Sequence, residues 1–233
     1  MANRSRRYLK SREMVDRERE YPLEEALNML KTMEHPRFEE TVECAVQLGI
    51  EARQSDQQVR GTITLPHGTG KTRTVAVFAE GSAAEEAAEA GADYVGADDL
   101  IERVENGFMD FDIALATPDM MSRIGRLGRF LGPRGLMPSP KSGTVREDIG
   151  QAVSEFKAGK IEFRNDAGGN IHVPVGKVSF STQELADNVR ALVDELLRLK
   201  PPAAKGRFLR GIHVSTTMNP SVKVDIAEAF SRS

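Results

Sequence analysis

The spacing of apolar residues changes twice along this chain of 233 residues, and that change constrains the fold more than any single motif. In "FEETVECAVQLGI", Val42, Cys44, Val46 and Leu48 fall on one side and Thr41, Glu43, Ala45 and Gln47 on the other. A period of two is that of a strand with one buried face. "VRGTITL" repeats it, with Val59, Gly61, Ile63 and Leu65 inward. Before these strands come a charged opening helix and the helix "YPLEEALNMLKTM", with Pro22 near the first turn, where a missing N–H does no harm. From about residue 68 to 159 the rhythm is different. The short strands "TVAVFA", "DYVG" and "DIALAT" alternate with the helices "SAAEEAAEAGA", "ADDLIERVENG", "TPDMMSRIGRLG" and "REDIGQAVSEFKAG". Strand–helix alternation with short turns predicts a parallel sheet between two helix layers.

After Gly159 the first rhythm returns. "KIEFRND" and "NIHVPVGKVSF" read as antiparallel strands around the turn "AGGN", and "GIHVSTTM" and "VKVDIAEAF" as two more around "NPS". Between the pairs, Ser181 and Glu184 form a capping box for a helix with Leu185, Val189, Leu192, Val193 and Leu196 on one face. Two flanks with one rhythm predict one α+β domain, split between residues 1–67 and 160–233. Into it is inserted a three-layer α/β, Rossmann-like domain over residues 68–159.

Within this frame, "LPHGTGKT" (Leu65 to Thr72) has two readings. Gly70, Lys71 and Thr72 match the end of a phosphate-binding loop, but that loop needs an opening glycine where Leu65 stands and a helix after it. The residues that follow read as a strand. The other reading is a hinge at His67, Gly68 and Gly70, paired with a second connection at Gly159, where glycine supplies freedom in φ.

Composition narrows the chemistry. One cysteine, Cys44, cannot form an internal disulfide, and its phase with Val42 and Val46 predicts a buried, inert thiol. The four histidines, 35, 67, 172 and 213, lack metal-ligand spacing, so no metal is expected. No apolar run approaches a membrane span, and the charged N-terminus lacks the apolar core of a secretory signal, so a cytoplasmic location is expected. Charge is unevenly distributed. Residues 80–112 hold eleven acidic residues and one basic, a net −10 against −3 for the whole chain, so the remainder is positive. Residues 123–146 hold six basic residues and no acidic one. A local polyanion site is compatible with such a field.

The outward strand faces carry hydroxyls and a carboxylate: Thr41 and Glu43 on one strand, His213, Ser215 and Thr217 on another, with Phe38 just before the first. Few lysines accompany them. Such a set suits RNA, whose 2′-hydroxyls donate and accept, and whose unpaired bases stack on aromatic rings. It equally suits the solvent side of a sheet with Phe38 in the core.

Seven segments in series, "RFEETVE", "LPHGTGK", "LGPRGLMPSPKSGTV", "IEFRND", "IHVPVGK", "LADNVRA" and "STTMNPSVKVD", resemble the bacterial type of the large-subunit ribosomal protein L-one family over essentially the whole chain. The resemblance implies a split domain with an inserted one, no enzyme activity and no cofactor. It implies as partners the side stalk of large-subunit rRNA, exit-site tRNA during its movement and release, and the protein's own operon mRNA, whose translation it represses. It further implies a ribosomal, cytoplasmic location, no membrane, and a monomer off the ribosome. By position the RNA contacts fall on Arg37, Phe38, Thr41, Glu43, Asn165, Asp166, Ser215, Thr217, Met218 and Asn219. Apart from the resemblance, the basic run 123–146 offers Arg129, Arg134 and Lys141 as a second contact, to another RNA segment or to the passing tRNA. Alternation alone places Met218 in the core; the resemblance places it at the RNA. Two residues depart from the family pattern: Asn219 replaces a glycine, with a side chain expected where RNA approaches closely, and Ala167 replaces a lysine. The overall charge is also more acidic than the family pattern.

Overall fold

The computed structural model describes residues 4–54 and 56–229. In chain order its elements are α1 (Arg6–Glu13), α2 (Leu23–Thr32), β1 (Thr41–Leu48), β2 (Arg60–Thr64), β3 (Val75–Phe78), α3 (Ser82–Glu89), β4 (Tyr94–Gly96), α4 (Asp98–Glu105) and β5 (Ile113–Ala116). There follow α5 (Met121–Ile124), α6 (Gly128–Leu131), α7 (Ile149–Lys157), β6 (Lys160–Arg164), β7 (Asn170–Lys177), α8 (Thr182–Arg198), β8 (Leu209–Thr216), β9 (Val222–Val224) and α9 (Ile226–Ala229). The chain divides into two compact units: residues up to Gly70 together with those from Phe163, and Lys71–Glu162.

In the first unit β1 lies between β7 and β8 in the sheet order β7-β1-β8-β9, with every pairing antiparallel. A strand from the N-terminal third is thus hydrogen-bonded on both edges to strands from the C-terminal third. Val42, Cys44, Val46 and Leu48 are buried, and so are Leu27 and Leu30 of α2 and Leu185, Val189, Leu192 and Leu196 of α8. Each such leucine contributes about 1.5–3 kcal/mol on leaving water. Burial pushes the Cys44 thiol up to about 12, which leaves it protonated and unreactive. The capping box forms as its spacing predicts: Ser181 Oγ accepts from Glu184 N at 3.2 Å, and Ser181 N donates to Glu184 Oε2 at 2.7 Å. A second, two-stranded sheet joins β2 to β6.

The other unit holds the parallel sheet β4-β3-β5. Every residue of β3 and β5 is buried. Ala76 and Phe78 pack with Leu100, Ile101 and Val104 of α4 and with Ile124 and Leu131 of α5 and α6. Val75 and Val77 pack on the opposite face with Ala87 of α3 and Ile149, Val153 and Phe156 of α7. Those are three layers. Strands buried on both faces lose the alternation of a one-sided strand, which is why they read as continuous apolar runs.

Two elements differ from expectation. "TPDMMSRIGRLG" holds one four-residue helix, α5, and a 3-10 turn at Gly125–Leu127, and a second four-residue helix, α6, starts at its last residue, Gly128. Its two glycines weaken a continuous helix, while burial of Ile124, Leu127 and Leu131 holds the broken one in place. "VKVDIAEAF" is a strand only as far as Val224. Asp225 Oδ1 then accepts from Ala227 N at 2.8 Å and starts α9, and Phe230 lies outside the described residues.

Candidate nucleic-acid interface

Segments from the N-terminal and C-terminal parts of the first unit meet at the start of β1. Register sets Val42 opposite Thr216 and Glu43 opposite Ser215. Thr41, Glu43 and Ser215 therefore stand together on the sheet face opposite the buried Val42 and Val214, with Thr217 beside them. Thr217 N donates to Thr41 O at 3.2 Å, and the Thr217 hydroxyl accepts from Thr41 N at 3.2 Å. The Thr41 hydroxyl accepts from Lys177 Nζ at 2.9 Å. These hydroxyls close the end of the sheet as well as decorating it.

Arg37, Phe38 and Met218 are exposed, Phe38 at 52% and Met218 at 49%. Phe38 is therefore not core. Met218 escapes the alternation that would bury it, because β8 ends at Thr216 and the backbone turns. The turn that carries Met218 is held by Glu40, which is 1% exposed. Its Oε1 accepts from Met218 N at 2.7 Å, and its Oε2 meets His35 Nδ1 and accepts from Asn219 Nδ2 at 3.4 Å. One buried carboxylate thus ties the segment before β1 to the turn after β8. Sequence reasoning missed it, although the signal was present: Glu40 is in phase with Val42 and Cys44, on the inward side.

Asn219 corrects the expectation set for it. Its side chain turns inward instead of standing on the surface. It is buried, 8% exposed, and donates to Thr216 Oγ1 at 3.1 Å as well as to Glu40. Among the described residues only glycines have positive φ, so Asn219 is not in the left-handed region either.

Asn165 and Asp166 are not brought to this cluster. Thr41 pairs with Lys177, whereas Gln47, at the other end of β1, pairs with Asn170. The 165–169 turn thus lies six residues away along the strand, about 20 Å at roughly 3.3 Å per residue. Both side chains build that turn. Asn165 Oδ1 accepts from Val59 N at 2.7 Å, and Asp166 Oδ1 accepts from Gly168 N and Asn170 N at 2.8 Å each. The Asn170 backbone bond, above all, holds the Asp166 carboxyl below the usual aspartate range.

At the expected hinge, Gly68, Gly70 and Gly159 have φ of 63°, 69° and 102°. A Cβ on Gly70 would come within 2.8 Å of Lys177 Cγ and 3.0 Å of Phe180 Cε1, so both φ and space require glycine. His67 and Gly68 are anchored to α8. The buried Asn188 accepts from His67 N at 3.0 Å and donates to Gly68 O at 3.0 Å and Val175 O at 2.8 Å. The phosphate-loop pattern has no helix behind it, since Lys71–Thr74 leads into β3. Lys71 Nζ donates to Asp112 Oδ1 at 2.5 Å, and Thr74 N to Asp112 Oδ2 at 3.2 Å. Partial burial raises the Asp112 pKa, but these two bonds outweigh it and hold the carboxyl below its usual range.

The basic run is partly neutralised inside its own unit. Arg123 pairs with Glu80 and Asp98, Arg126 with Glu105 at 3.1 Å, and Arg146 with Glu155 at 3.3 Å. Arg129 and Arg134 are exposed, the former stacked at 4.7 Å from the Phe130 ring centroid. Lys141 lies in the 3-10 turn Pro140–Ser142. Among the described residues no group of three or more His, Cys, Asp or Glu could hold a metal ion.

The sheet end thus joins segments far apart in sequence and presents hydroxyls, one carboxylate and two exposed apolar side chains. Residues 30–220 match the Ribosomal protein L1p/L10e family, and the chain belongs to that family, whose members are structural rather than enzymatic. A protein of Thermobifida fusca (strain YX) named large ribosomal subunit protein uL1 is 58% identical over 222 residues, covering 95% of this chain and 94% of that one. A protein of the same name from Kosmotoga olearia (strain ATCC BAA-1733 / DSM 21960 / TBF 19.5.1) is 53% identical over 225 residues, covering 97% of each.

Proposed function

We propose that this chain is a structural protein of the large ribosomal subunit, in the cytoplasm, that binds the side stalk of the rRNA through the end of the β7-β1-β8-β9 sheet. The observation that carries the reading is the joining of Phe38, Thr41 and Glu43 to Ser215, Thr217 and Met218 on one surface. Phe38 stacks on an unpaired base and Met218 packs on a ribose or base. Glu43 and the hydroxyls of Thr41, Ser215 and Thr217 exchange hydrogen bonds with 2′-hydroxyls. Arg37 supplies a phosphate contact. The 165–169 turn, with Asn165 and Asp166 tied up internally, serves the fold first.

The split domain grips the stalk, and the glycines at 68, 70 and 159 act as the hinge of the inserted domain. Arg129, Arg134 and Lys141 in that domain reach a second RNA segment or exit-site tRNA and assist tRNA movement and release. The same sheet end binds a stalk-like element in the protein's own operon mRNA and represses its translation. Off the ribosome the protein is a monomer.

Filter retention of a transcript of the rRNA side stalk tests the central reading, with a plain RNA duplex of equal length as control. Tight binding to the stalk alone is expected; equal retention of both RNAs would sink the shape-readout mechanism. The operon-leader transcript, run in parallel, separates the repressor role from the ribosomal one.

A further inference from the structure

The most basic segment of the first unit touches the site described above only through Arg7. Arg4, Arg6, Arg7, Lys10 and Arg12 lie in or just before α1, against a single acid in the helix, Glu13. The helix starts at Ser5, whose hydroxyl accepts from Tyr8 N at 3.3 Å, and it has no acidic residue in its first turn. That is the reverse of what a helix in water prefers. The positive end of its dipole faces Arg4 and Arg6, and its first turn holds no carboxylate to offset them. Hence an anion bound from outside relieves a repulsion that the folded chain leaves in place.

The same helix is fixed beside the candidate RNA surface. Arg7 Nη1 donates to Glu34 O at 3.0 Å and Nη2 to Met218 O at 3.5 Å. One guanidinium therefore touches the two segments that Glu40 also joins. Ser11 and Val15 are buried, which fixes the inward side of α1. Arg6 and Lys10, four residues apart, share an exposed side. Lys10 comes no nearer than 4.0 Å to Glu34, with both side chains largely in solvent. Arg4, also exposed, has its guanidinium 4.6 Å from the Tyr8 ring centroid.

From this placement we infer that α1 extends the RNA surface, with Arg4, Arg6 and Lys10 taking backbone phosphates of the same stalk RNA whose bases and riboses meet Phe38, Thr217 and Met218. The division of labour is physical. The sheet end has the groups that read shape and 2′-hydroxyls but few cations. Helix α1 has cations, which attract polyanion without reading sequence. Arg7 sets the spacing between the two. This inference rests on the RNA-binding reading above, and the test separates the two.

The experiment measures the affinity of the full chain for the stalk transcript over a range of salt, for the wild type and for a triple variant, Arg4→Gln, Arg6→Gln and Lys10→Gln. Removing one cation from a phosphate should reduce the slope of log K against log salt by roughly 0.7–0.9, so the triple variant should be shallower by about 2, with affinity lower on the order of tenfold at moderate salt. The double variant Arg4→Lys, Arg6→Lys keeps the charges and should keep the wild-type slope. Thr217→Val should weaken binding with the slope unchanged. A triple variant with wild-type affinity and slope overturns the phosphate role of α1 while leaving the sheet-end site intact. A wild type that ignores the stalk transcript overturns both. The triple variant's thermal midpoint serves as the control for folding, and if it is lowered, the single variants Arg6→Gln and Lys10→Gln decide by slope alone.

Discussion

The two larger sheets of this protein, β7-β1-β8-β9 and β4-β3-β5, solve burial in opposite ways. The antiparallel sheet β7-β1-β8-β9 buries Val42, Cys44 and Val46 and leaves Glu43 and Gln47 exposed on the same strand. The parallel sheet β4-β3-β5 buries all four residues of β3 and all four of β5. A strand covered on both faces has no side chain left for recognition, so its unit can offer a partner only helices and loops. A strand covered on one face keeps half of its side chains for a partner. This locates the candidate interface on the first sheet and confines any contact by the other unit to residues such as Arg129 and Arg134.

The largest effect should come from the doubly covered sheet. Phe78→Ala removes a fully buried ring from the centre of the parallel sheet and should cost about 3–5 kcal/mol, read as a loss of denaturant resistance. Stalk-RNA affinity measured below the unfolding range should survive; its collapse would mean that the two sheets are not separate in their work.

Glu40→Ala comes next. It strips partners from Met218 N and Asn219 Nδ2 in a buried setting. A cost of about 1–3 kcal/mol in stability is expected, with weaker RNA binding as the turn carrying Met218 loses its tie to the segment that carries Phe38. Reduced stability with RNA affinity retained would show that the exposed pair does not depend on it.

Thr217→Val should weaken RNA binding by ~0.5–1.5 kcal/mol, as for the removal of one hydrogen bond. Because the hydroxyl also serves Thr41 N, a fall of similar size in thermal stability should accompany it. Filter retention and a melting curve on one preparation separate the two.

The smallest effect concerns the turn at the far end of the sheet. The Asp166 carboxyl is held below its usual pKa, chiefly by the Asn170 backbone bond. A depressed folded-state value means that the contribution is fully present above the ordinary aspartate range and is lost as pH falls through the lower folded-state value. Protection of the Gly168 and Asn170 amides, relative to their intrinsic exchange rates, should therefore fall only on acidification below that ordinary range. Loss of protection already near neutral pH would contradict the assigned bonds.

How much of this was legible in the sequence follows from which patterns are local. Alternation in β1, the capping box at Ser181 and Glu184, and strand–helix alternation between residues 68 and 159 are statements about neighbours within a few residues, and each formed as read. The strand expected through "DIAEAF" failed because Asp225 caps a helix, a competing local signal that apolar alternation does not register. Met218 was ambiguous because its exposure depends on where β8 stops.

The sequence by itself determined most of the elements, the buried sides of β1 and α8, the burial of Cys44 and, through seven ordered segments, the family. Only the tertiary structure decided that Glu40 would be buried between His35, Met218 and Asn219, that Asn188 would anchor His67 and Gly68, and that Asn165 and Asp166 would lie a strand's length from Thr41. The reason is distance along the chain. A hydrogen bond between Glu40 and Met218 spans 178 residues, and no periodicity within either segment encodes its partner. Short-range chemistry fixes which way a side chain faces, and strand register, set by the packed core, fixes what it faces.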